Sequence, residues 1–135
     1  MPYSYQIVAE HKIVLFKANG VFSSDELLGC LKEVVADSRF ESSFNHLVDL
    51  REVSRFQASQ SDMFMKVVSN HKMQPKLGEC RIALLSSNET VYGMTRMYEI
   101  MMESTSVAVR TFRKAVDAAE WLDIPEAIME WKNES

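Results

Sequence analysis

The chain has 135 residues, of which 47% are hydrophobic and 25% are charged, and its formal net charge is -4. Domains commonly hold about 100–150 residues, so we expect a single domain over residues 1–135, with a core at about 3–123 and a short C-terminal helix at about 125–133. The apolar content excludes a disordered chain, and the 4 glycines and 3 prolines exclude a collagen-like or linker composition. The net acidity argues against a nucleic-acid-binding protein, which normally carries a basic surface.

No segment predicts export or membrane insertion. The N-terminus lacks a basic region followed by an apolar stretch, so no signal peptide is expected, and no run approaches about 18 consecutive apolar residues. Cys30 and Cys80 are too few for a disulfide framework and lie within apolar segments, which predicts buried, reduced thiols. We therefore expect a cytoplasmic protein without a transmembrane segment.

Three strands are predicted in the first half of the chain. Residues 3–9 alternate apolar and polar side chains, which is typical of a half-buried strand. Residues 13–16 are continuously apolar and predict its hairpin partner, which is expected to end at Asn19 and Gly20. A third, short strand is expected at residues 46–50, because this apolar run is flanked by polar residues.

Two helices are predicted beside these strands. Ser23 and Glu26 have the spacing of a capping box, and the apolar residues that follow have helical spacing up to a stop at Asp37. Ser59 is the expected N-cap of a second helix, with Asp62 placing negative charge in its first turn. The apolar stripe of that second helix consists of Met63, Phe64, Val67, Val68 and His71.

The second half of the chain repeats the alternation. Residues 81–85 predict a fourth strand, and Ser86, Ser87 and Asn88 are N-cap candidates for a third helix. Residues 107–112 predict a fifth strand, followed by a fourth helix over 114–122 and a short helix that begins at Pro125. In the fourth helix the inward-facing residues are expected to be Val116, Ala119 and Leu122.

This order of elements predicts an α/β fold. Strands that alternate with helices form mostly parallel sheets with crossover connections, and the opening hairpin makes the sheet mixed at one side. We therefore expect a mixed, mostly parallel five-stranded sheet with an N-terminal hairpin and four to five helices.

Four segments resemble a known family. They are His-Leu-Val-Asp-Leu-Arg at 46–51, Tyr-Gly-Met-Thr-Arg-Met-Tyr-Glu at 92–99, Val-Arg-Thr-Phe at 109–112 and Ala-Ala-Glu-Trp-Leu at 118–122. Together with the element order, they resemble the SpoIIAA-like fold of STAS domains, which is found in anti-sigma-factor antagonists and anion transporters. The chain looks most like small bacterial SpoIIAA-like proteins of unsettled activity. This resemblance covers most of residues 3–123 and implies a regulatory interaction module.

The resemblance also locates a phosphorylation motif, from which this chain departs. In the anti-sigma-factor antagonists a serine at the start of the second helix is phosphorylated by the partner kinase. Aligning Asp49-Leu50-Arg51 with the preceding strand end places Ala58 at that serine. Alanine has no hydroxyl, so the usual phosphoswitch is expected to be absent. Ser59 and Ser61 remain alternative acceptors, although an N-cap role is the favoured interpretation for Ser59.

No pattern predicts catalysis, a metal or a cofactor. The histidines at 11, 46 and 71 lie far apart, and neither His-x-x-x-His nor Cys-x-x-Cys spacing occurs. Neither a Gly-x-Ser-x-Gly turn nor a glycine-rich phosphate loop is present. We therefore expect no catalytic residues, no metal site and no cofactor.

Two groups of polar residues are candidates for binding. Asp49 and Arg51 follow a predicted parallel strand, where α/β sheets place their binding crevices. They can form a polar gate over a ligand, or Asp49 can cap a loop while Arg51 pairs with a neighbouring carboxylate, and this structural alternative is favoured. Arg96 lies between Tyr92 and Tyr98, where it can receive an anionic group or extend across the helix surface.

The methionines are concentrated in the middle of the chain. Seven of the nine fall between residues 63 and 102, and methionine makes adaptable apolar surfaces as well as soft cores. The seven are Met63, Met65, Met73, Met94, Met97, Met101 and Met102. The combined candidate surface for a ligand or partner consists of Asp49, Arg51, Ser59, Met63, Tyr92, Met94, Arg96, Met97 and Met101.

Three functional hypotheses remain open. The leading hypothesis is a non-catalytic interaction module that binds a protein partner or a second copy of itself as a homodimer. The alternative is a carrier of a lipid or other small apolar or anionic ligand, because CRAL-TRIO lipid-transfer domains are topologically similar to STAS domains. In that case Lys72, Lys76 and Arg81 are candidates for contact with a head group. A small hydrolase or isomerase would require Asp49, Arg51 and Arg96 to converge.

Overall fold

The computed structural model describes residues 3–57, 78–103 and 106–130. A five-stranded sheet has its strands in sequence order, with β1 antiparallel to β2 and all other neighbours parallel. The mixed, mostly parallel α/β sheet with an opening hairpin is therefore confirmed. The strands are β1 (Tyr3–Val8), β2 (Ile13–Ser23), β3 (Asn45–Gln57), β4 (Arg81–Leu85) and β5 (Ala108–Phe112).

Three α-helices and two short 3₁₀ helices lie within the described ranges. The predicted second helix, which begins at Ser59 and includes Met63, Met65 and Met73, lies outside them, as do Ala58 and Ser61. The α-helices are α1 (Ser24–Ala36), α2 (Glu89–Met101) and α3 (Ala115–Leu122), and the 3₁₀ helices are Ala9–His11 and Glu126–Glu130.

Side-chain caps fix the starts of α1 and α2. The Ser23 hydroxyl accepts a hydrogen bond from the Glu26 N–H at 3.1 Å, and the Glu26 carboxylate accepts one from the Ser23 N–H at 3.0 Å. The predicted capping box is therefore confirmed. At α2, the Asn88 side chain accepts from the backbone N–H groups of Thr90 and Val91. These caps satisfy amide groups that have no partner within the helix.

Strand β2 is longer than predicted. The expected end at Asn19 and Gly20 is wrong, because the strand continues to Ser23. The pairing with β3 shifts register between Lys17 and Asn19 and again after Gly20, which has a φ of 64°. The Asn-Gly pair therefore marks irregularities within a strand, where a glycine accommodates the positive φ, and the pairing resumes beyond it.

Strand β3 is extended in the same way. Its predicted end at Leu50 is wrong, since β3 runs to Gln57 and pairs there with Ser23 of β2. Burial of Val53 explains the extension, because this residue lies in the same core cluster as Leu50 and Phe22. Because polar residues follow Leu50 in the sequence, a pattern of consecutive apolar residues could not identify Val53 as buried.

Helix α3 has a different inward face from the predicted one. Val116 is 50% exposed, so its predicted inward position is wrong, whereas Ala119 and Leu122 are buried as expected. Ala118 is also buried. The spacing of 115, 118, 119 and 122 is that of one helical face, and residue 116 lies outside it.

The two faces of the sheet are covered by different helices. Helices α1 and α2 cover one face, where Cys30 and Val34 of α1 and Val91 of α2 join the buried strand residues. Helix α3 and the Glu126–Glu130 turn cover the other. That second core contains Ile13, Leu15, Leu47, Ala83, Leu85, Ala118, Ala119, Leu122 and Met129.

Candidate functional site

Polar side chains gather at the carboxyl ends of the parallel strands. Asp49 of β3 is in register with Leu85, the last residue of β4, and with Lys17 of β2. Ser86 follows β4, and Arg113 follows β5. Open α/β sheets bind ligands at this end of their strands, so this end is the first place to look for a site.

Asp49 and Arg51 form a bidentate ion pair. The Arg51 Nε donates to Asp49 Oδ1 at 3.0 Å, and its Nη2 donates to Oδ2 at 2.8 Å. The Arg51 backbone N–H also donates to Oδ1 at 3.1 Å. The Asp49 side chain is 7% exposed and the Arg51 side chain is 32% exposed. Because both carboxylate oxygens already accept from Arg51, the geometry favours the structural interpretation over a gate for a ligand.

The same motif occurs a second time on the surface. Arg39 donates to Asp37 through Nε at 3.0 Å, Nη2 at 2.8 Å and its backbone N–H at 2.9 Å. These hydrogen bonds hold the pKa of Asp37 well below its usual range. The Tyr5 hydroxyl also donates to Asp37, and burial together with this bond raises the pKa of Tyr5 to about 12. Asp37 and Arg39 therefore provide a matched comparison with a more exposed arginine, since the Arg39 side chain is 60% exposed and the Asp37 side chain is 13% exposed.

Removing Arg51 should destabilise the protein more than removing Arg39. In Arg51→Ala the nearly buried Asp49 carboxylate loses its charged donor, so we expect the free energy of unfolding to fall by about 2 kcal/mol. Arg39 is 60% exposed, and water replaces it, so Arg39→Ala should cost less. Urea denaturation of both variants measures the difference. If both variants lost the same free energy of unfolding, burial would not determine how much the Asp49–Arg51 pair contributes to stability.

Hydrogen bonds fasten the start of α2 to β3 next to this ion pair. The Ser87 hydroxyl donates to the Arg51 carbonyl, and the Asn88 side-chain amide donates to the Ser54 carbonyl, both at 3.3 Å. Ser86 is fully buried, and its hydroxyl has no hydrogen-bond partner among the residues that the structure describes. The carboxyl end of the sheet is therefore braced by contacts between β3 and α2.

Arg113 forms a further polar cluster that the sequence analysis missed. Its guanidinium carbon lies 4.0 Å from the centre of the Tyr92 ring, and the side chain forms an ion pair with Glu89. That hydrogen-bonded pair lowers the pKa of Glu89. Asp49 was a candidate because α/β sheets bind ligands at the carboxyl ends of their strands. Arg113 directly follows β5, so the same criterion identifies Arg113 as well. Tyr92, a predicted candidate, is thus engaged by an arginine.

Arg96 does not join Asp49 and Arg51 through any contact within the described residues. It forms an ion pair with Glu99 one turn along α2, and Glu99 also accepts a hydrogen bond from the backbone N–H of Thr111 at 2.8 Å. The predicted site residues therefore separate into two places, and their convergence on one reacting group is not observed among the described residues. Ser59 and Met63 lie outside the described ranges.

The methionines of α2 lie beside its buried face. Val91 and Thr95 are the buried residues of this helix, and Met94, Met97 and Met101 are half-buried. Met101 packs with Leu31 and Val35 of α1 against the core. Helix geometry of about 100° per residue places 94, 97 and 101 on one side of α2. Ile100, which is 55% exposed, adds to the apolar surface of the helix.

The two thiols and one histidine are buried in apolar surroundings. Burial raises the pKa of Cys30 to about 12 and that of Cys80 to about 11, so both thiols stay protonated at neutral pH. Burial lowers the pKa of His46 to about 4. The prediction of buried, unpaired cysteines is confirmed. Within the described ranges, no cluster of three or more His, Cys, Asp or Glu side chains could hold a metal ion.

Comparison with solved structures identifies the fold. The chain is similar to the crystal structure of an uncharacterized protein of the DUF3478 family with a SpoIIAA-like fold, from Shewanella loihica PV-4. The two are 20% identical in sequence with a TM-score of 0.57, and the similarity covers 89% of this chain and 93% of that chain. No protein-family model and no curated protein matches the sequence. The predicted SpoIIAA-like fold is therefore confirmed. Among the described helices, none is long and apolar enough to cross a membrane.

Proposed function

We propose that the chain is a non-catalytic interaction module with a SpoIIAA-like fold, and that a protein partner docks on the exposed apolar side of α2. The observation that carries this proposal is the apolar surface that α2 retains beyond its core stripe. We call this surface the methionine face, and it consists of Met94, Met97, Ile100 and Met101.

The composition of the methionine face suits a docking surface. Val91 and Thr95 already satisfy the inward side of α2, so Met97 and Ile100 are not needed to fill the core. Ile100 is exposed and the three methionines are half-buried, so together they leave apolar surface accessible along α2. Unbranched methionine side chains adapt to the shape of a partner at little cost in rotamer strain.

The polar sites support a role without catalysis. At the carboxyl end of the sheet, Asp49 is neutralised by Arg51 and Glu89 by Arg113. A general acid or base must exchange a proton near neutral pH, whereas the ion pair with Arg113 lowers the pKa of Glu89 and keeps that carboxylate ionised. Partner binding in this proposal is also independent of phosphorylation at position 58, where the chain has alanine.

Site-specific crosslinking tests the methionine face. A photoreactive residue at Ile100 should capture a defined partner, while the same residue at Val116, which is similarly exposed on α3, should not. With that partner purified, Met97→Glu should weaken binding by about tenfold or more, because a carboxylate would be buried in an apolar contact. Val116→Lys, the control, should bind as the wild type does.

Two results would contradict the proposal, and a third would identify the partner. Identical crosslinks from positions 100 and 116 would show that the contact is not specific to α2. A small molecule that is bound in native mass spectrometry and lost in Met97→Glu would favour the carrier of an apolar or anionic ligand. A dimer that Ile100→Lys converts to a monomer would identify the partner as a second copy of the chain.

A further inference from the structure

β5 is an edge strand of the sheet, and its outer edge lies beside the C-terminal turn of α2. Strand β5 pairs with β4 on one side, where the Ala108 N–H donates to the Cys80 carbonyl and the Phe112 carbonyl accepts from the Ser86 N–H. Backbone groups alternate in direction along a strand. The backbone N–H and carbonyl groups of the even-numbered residues of β5 therefore point toward β4, and those of Val109 and Thr111 point outward.

Glu99 closes the carboxyl-terminal half of this edge. Its carboxylate accepts from the outward N–H of Thr111 at 2.8 Å and is itself held by Arg96. The Glu99 side chain is only 16% exposed. A carboxylate oxygen here takes the place that the carbonyl of a neighbouring strand would occupy. Val109 is the outward-facing residue of the other half of β5, and no carboxylate among the described residues accepts from its N–H in this way.

A groove of about 350 Å³ lies along the half of β5 that contains Val109. Its apolar lining includes Met102, Val107, Val109 and Trp121. Glu99 and Glu103 form an acidic rim, and Val109 packs with the core on the α2 side. Arg110 lies on the other side, with its guanidinium carbon 5.7 Å from the Phe112 ring centre and 6.0 Å from that of Trp121. The groove therefore has an acidic side toward α2 and an aromatic side toward α3.

We propose that this groove binds an extended segment of a partner protein, which adds to β5 as a sixth strand through the outward N–H and carbonyl of Val109. Side chains of an added strand alternate between the two sides of the sheet. A basic side chain of the segment contacts Glu103, since Glu99 is already paired with Arg96, and apolar side chains contact Trp121. The segment thus alternates basic and apolar residues, with the stems of the basic residues crossing the apolar lining.

The hydrogen bond between Glu99 and Thr111 disfavours a second copy as the occupant. A two-fold axis through Val109, perpendicular to the sheet, would pair β5 with its own copy in antiparallel direction and keep the α2 sides together. Self-pairing would need the Thr111 N–H of each copy to donate to the other copy, and the Glu99 carboxylate already accepts from that N–H at 2.8 Å.

The test uses a synthetic peptide, acetyl-Lys-Val-Lys-Val-Lys-amide, with a fluorescent label. Anisotropy measures its binding, and NMR amide shifts of the labelled protein locate it. A twin methylated on the backbone nitrogens that face β5 has the same charge and should bind about tenfold more weakly or worse, because it cannot donate to the strand. An acidic twin, with Glu in place of Lys, should not bind.

Two variants separate backbone pairing from charge. Val109→Pro removes the outward N–H and leaves the hydrogen bonds to β4 in place, since proline is tolerated at this kind of edge position. Glu103→Lys reverses one charge of the rim at an exposed residue, so its fold is not at risk. Each should weaken the peptide by about tenfold. Met97→Glu should leave peptide binding unchanged, which keeps this result independent of the methionine face.

Several outcomes would overturn the proposal. They are equal binding of the methylated twin, undiminished binding to Val109→Pro and Glu103→Lys, amide shifts centred away from β5, and absence of saturable binding. Self-association of the protein without peptide that Val109→Pro abolishes would assign the edge to a second copy instead.

Discussion

Phe22→Ala should lower the free energy of unfolding by about 3–5 kcal/mol, the range for removing a buried phenylalanine. Phe22 has no exposed surface. Its ring centre lies 5.7 Å from that of Phe16 and 6.2 Å from that of Tyr3. Truncation therefore leaves a cavity between β1, β2 and α1. Urea denaturation monitored by circular dichroism measures the loss.

The neighbouring Val21 provides the control for this prediction. Val21 lies in the same strand extension and is 48% exposed, so Val21→Ala changes the strand without opening a cavity. It should shift the free energy of unfolding by less than about 0.5 kcal/mol. If Phe22→Ala were as mild as Val21→Ala, the extension of β2 beyond Gly20 would contribute little to the core.

The same residues show why strand lengths were underestimated from the sequence. An Asn-Gly pair is the strongest local signal for a turn, and it follows the apolar run 13–16. In the structure the chain passes Gly20 with a positive φ and continues as a strand. What decides the outcome is the packing of Phe22 against Phe16 of the same strand and against Tyr3 of β1, which is distant in sequence. Local patterns identified which segments form strands and could not show where tertiary contacts extend them.

The candidate site was predictable to different degrees. Position alone placed Asp49 and Arg51 at the carboxyl end of a strand, and their separation of two residues on a strand puts both side chains on one side. The pairing of Arg96 with Glu99 follows from helix spacing. By contrast, the contact of Glu99 with the Thr111 N–H joins a helix to an edge strand. Sheet order had to be known before that contact could be inferred.

Acid should destabilise the protein through His46. In the folded protein, burial lowers its pKa from 6.5 to about 4, and no neighbouring charge contributes to that change. Its Nε2 atom has no hydrogen-bond partner among the described residues. The folded state therefore keeps the imidazole neutral, whereas the unfolded chain binds a proton below pH 6.5. The contribution of His46 to the free energy of unfolding is therefore undiminished above pH 6.5. As the pH drops toward 4, protonation of the unfolded chain lowers the free energy of unfolding by about 3 kcal/mol.

His46→Leu isolates this contribution. Leucine retains apolar volume between Phe40 and the sheet, since the Phe40 and His46 ring centres are 5.9 Å apart, and it binds no proton. Its free energy of unfolding should therefore change less between pH 7 and 4 than that of the wild type, by about 3 kcal/mol. Phe40→Leu, which changes the same ring contact and removes no titratable group, is the control and should retain the wild-type slope. An unchanged slope in His46→Leu would mean that other groups cause the acid sensitivity. Partial exposure of the imidazole in the folded state would give the same result, because the folded and unfolded chains would then bind the proton with similar affinity.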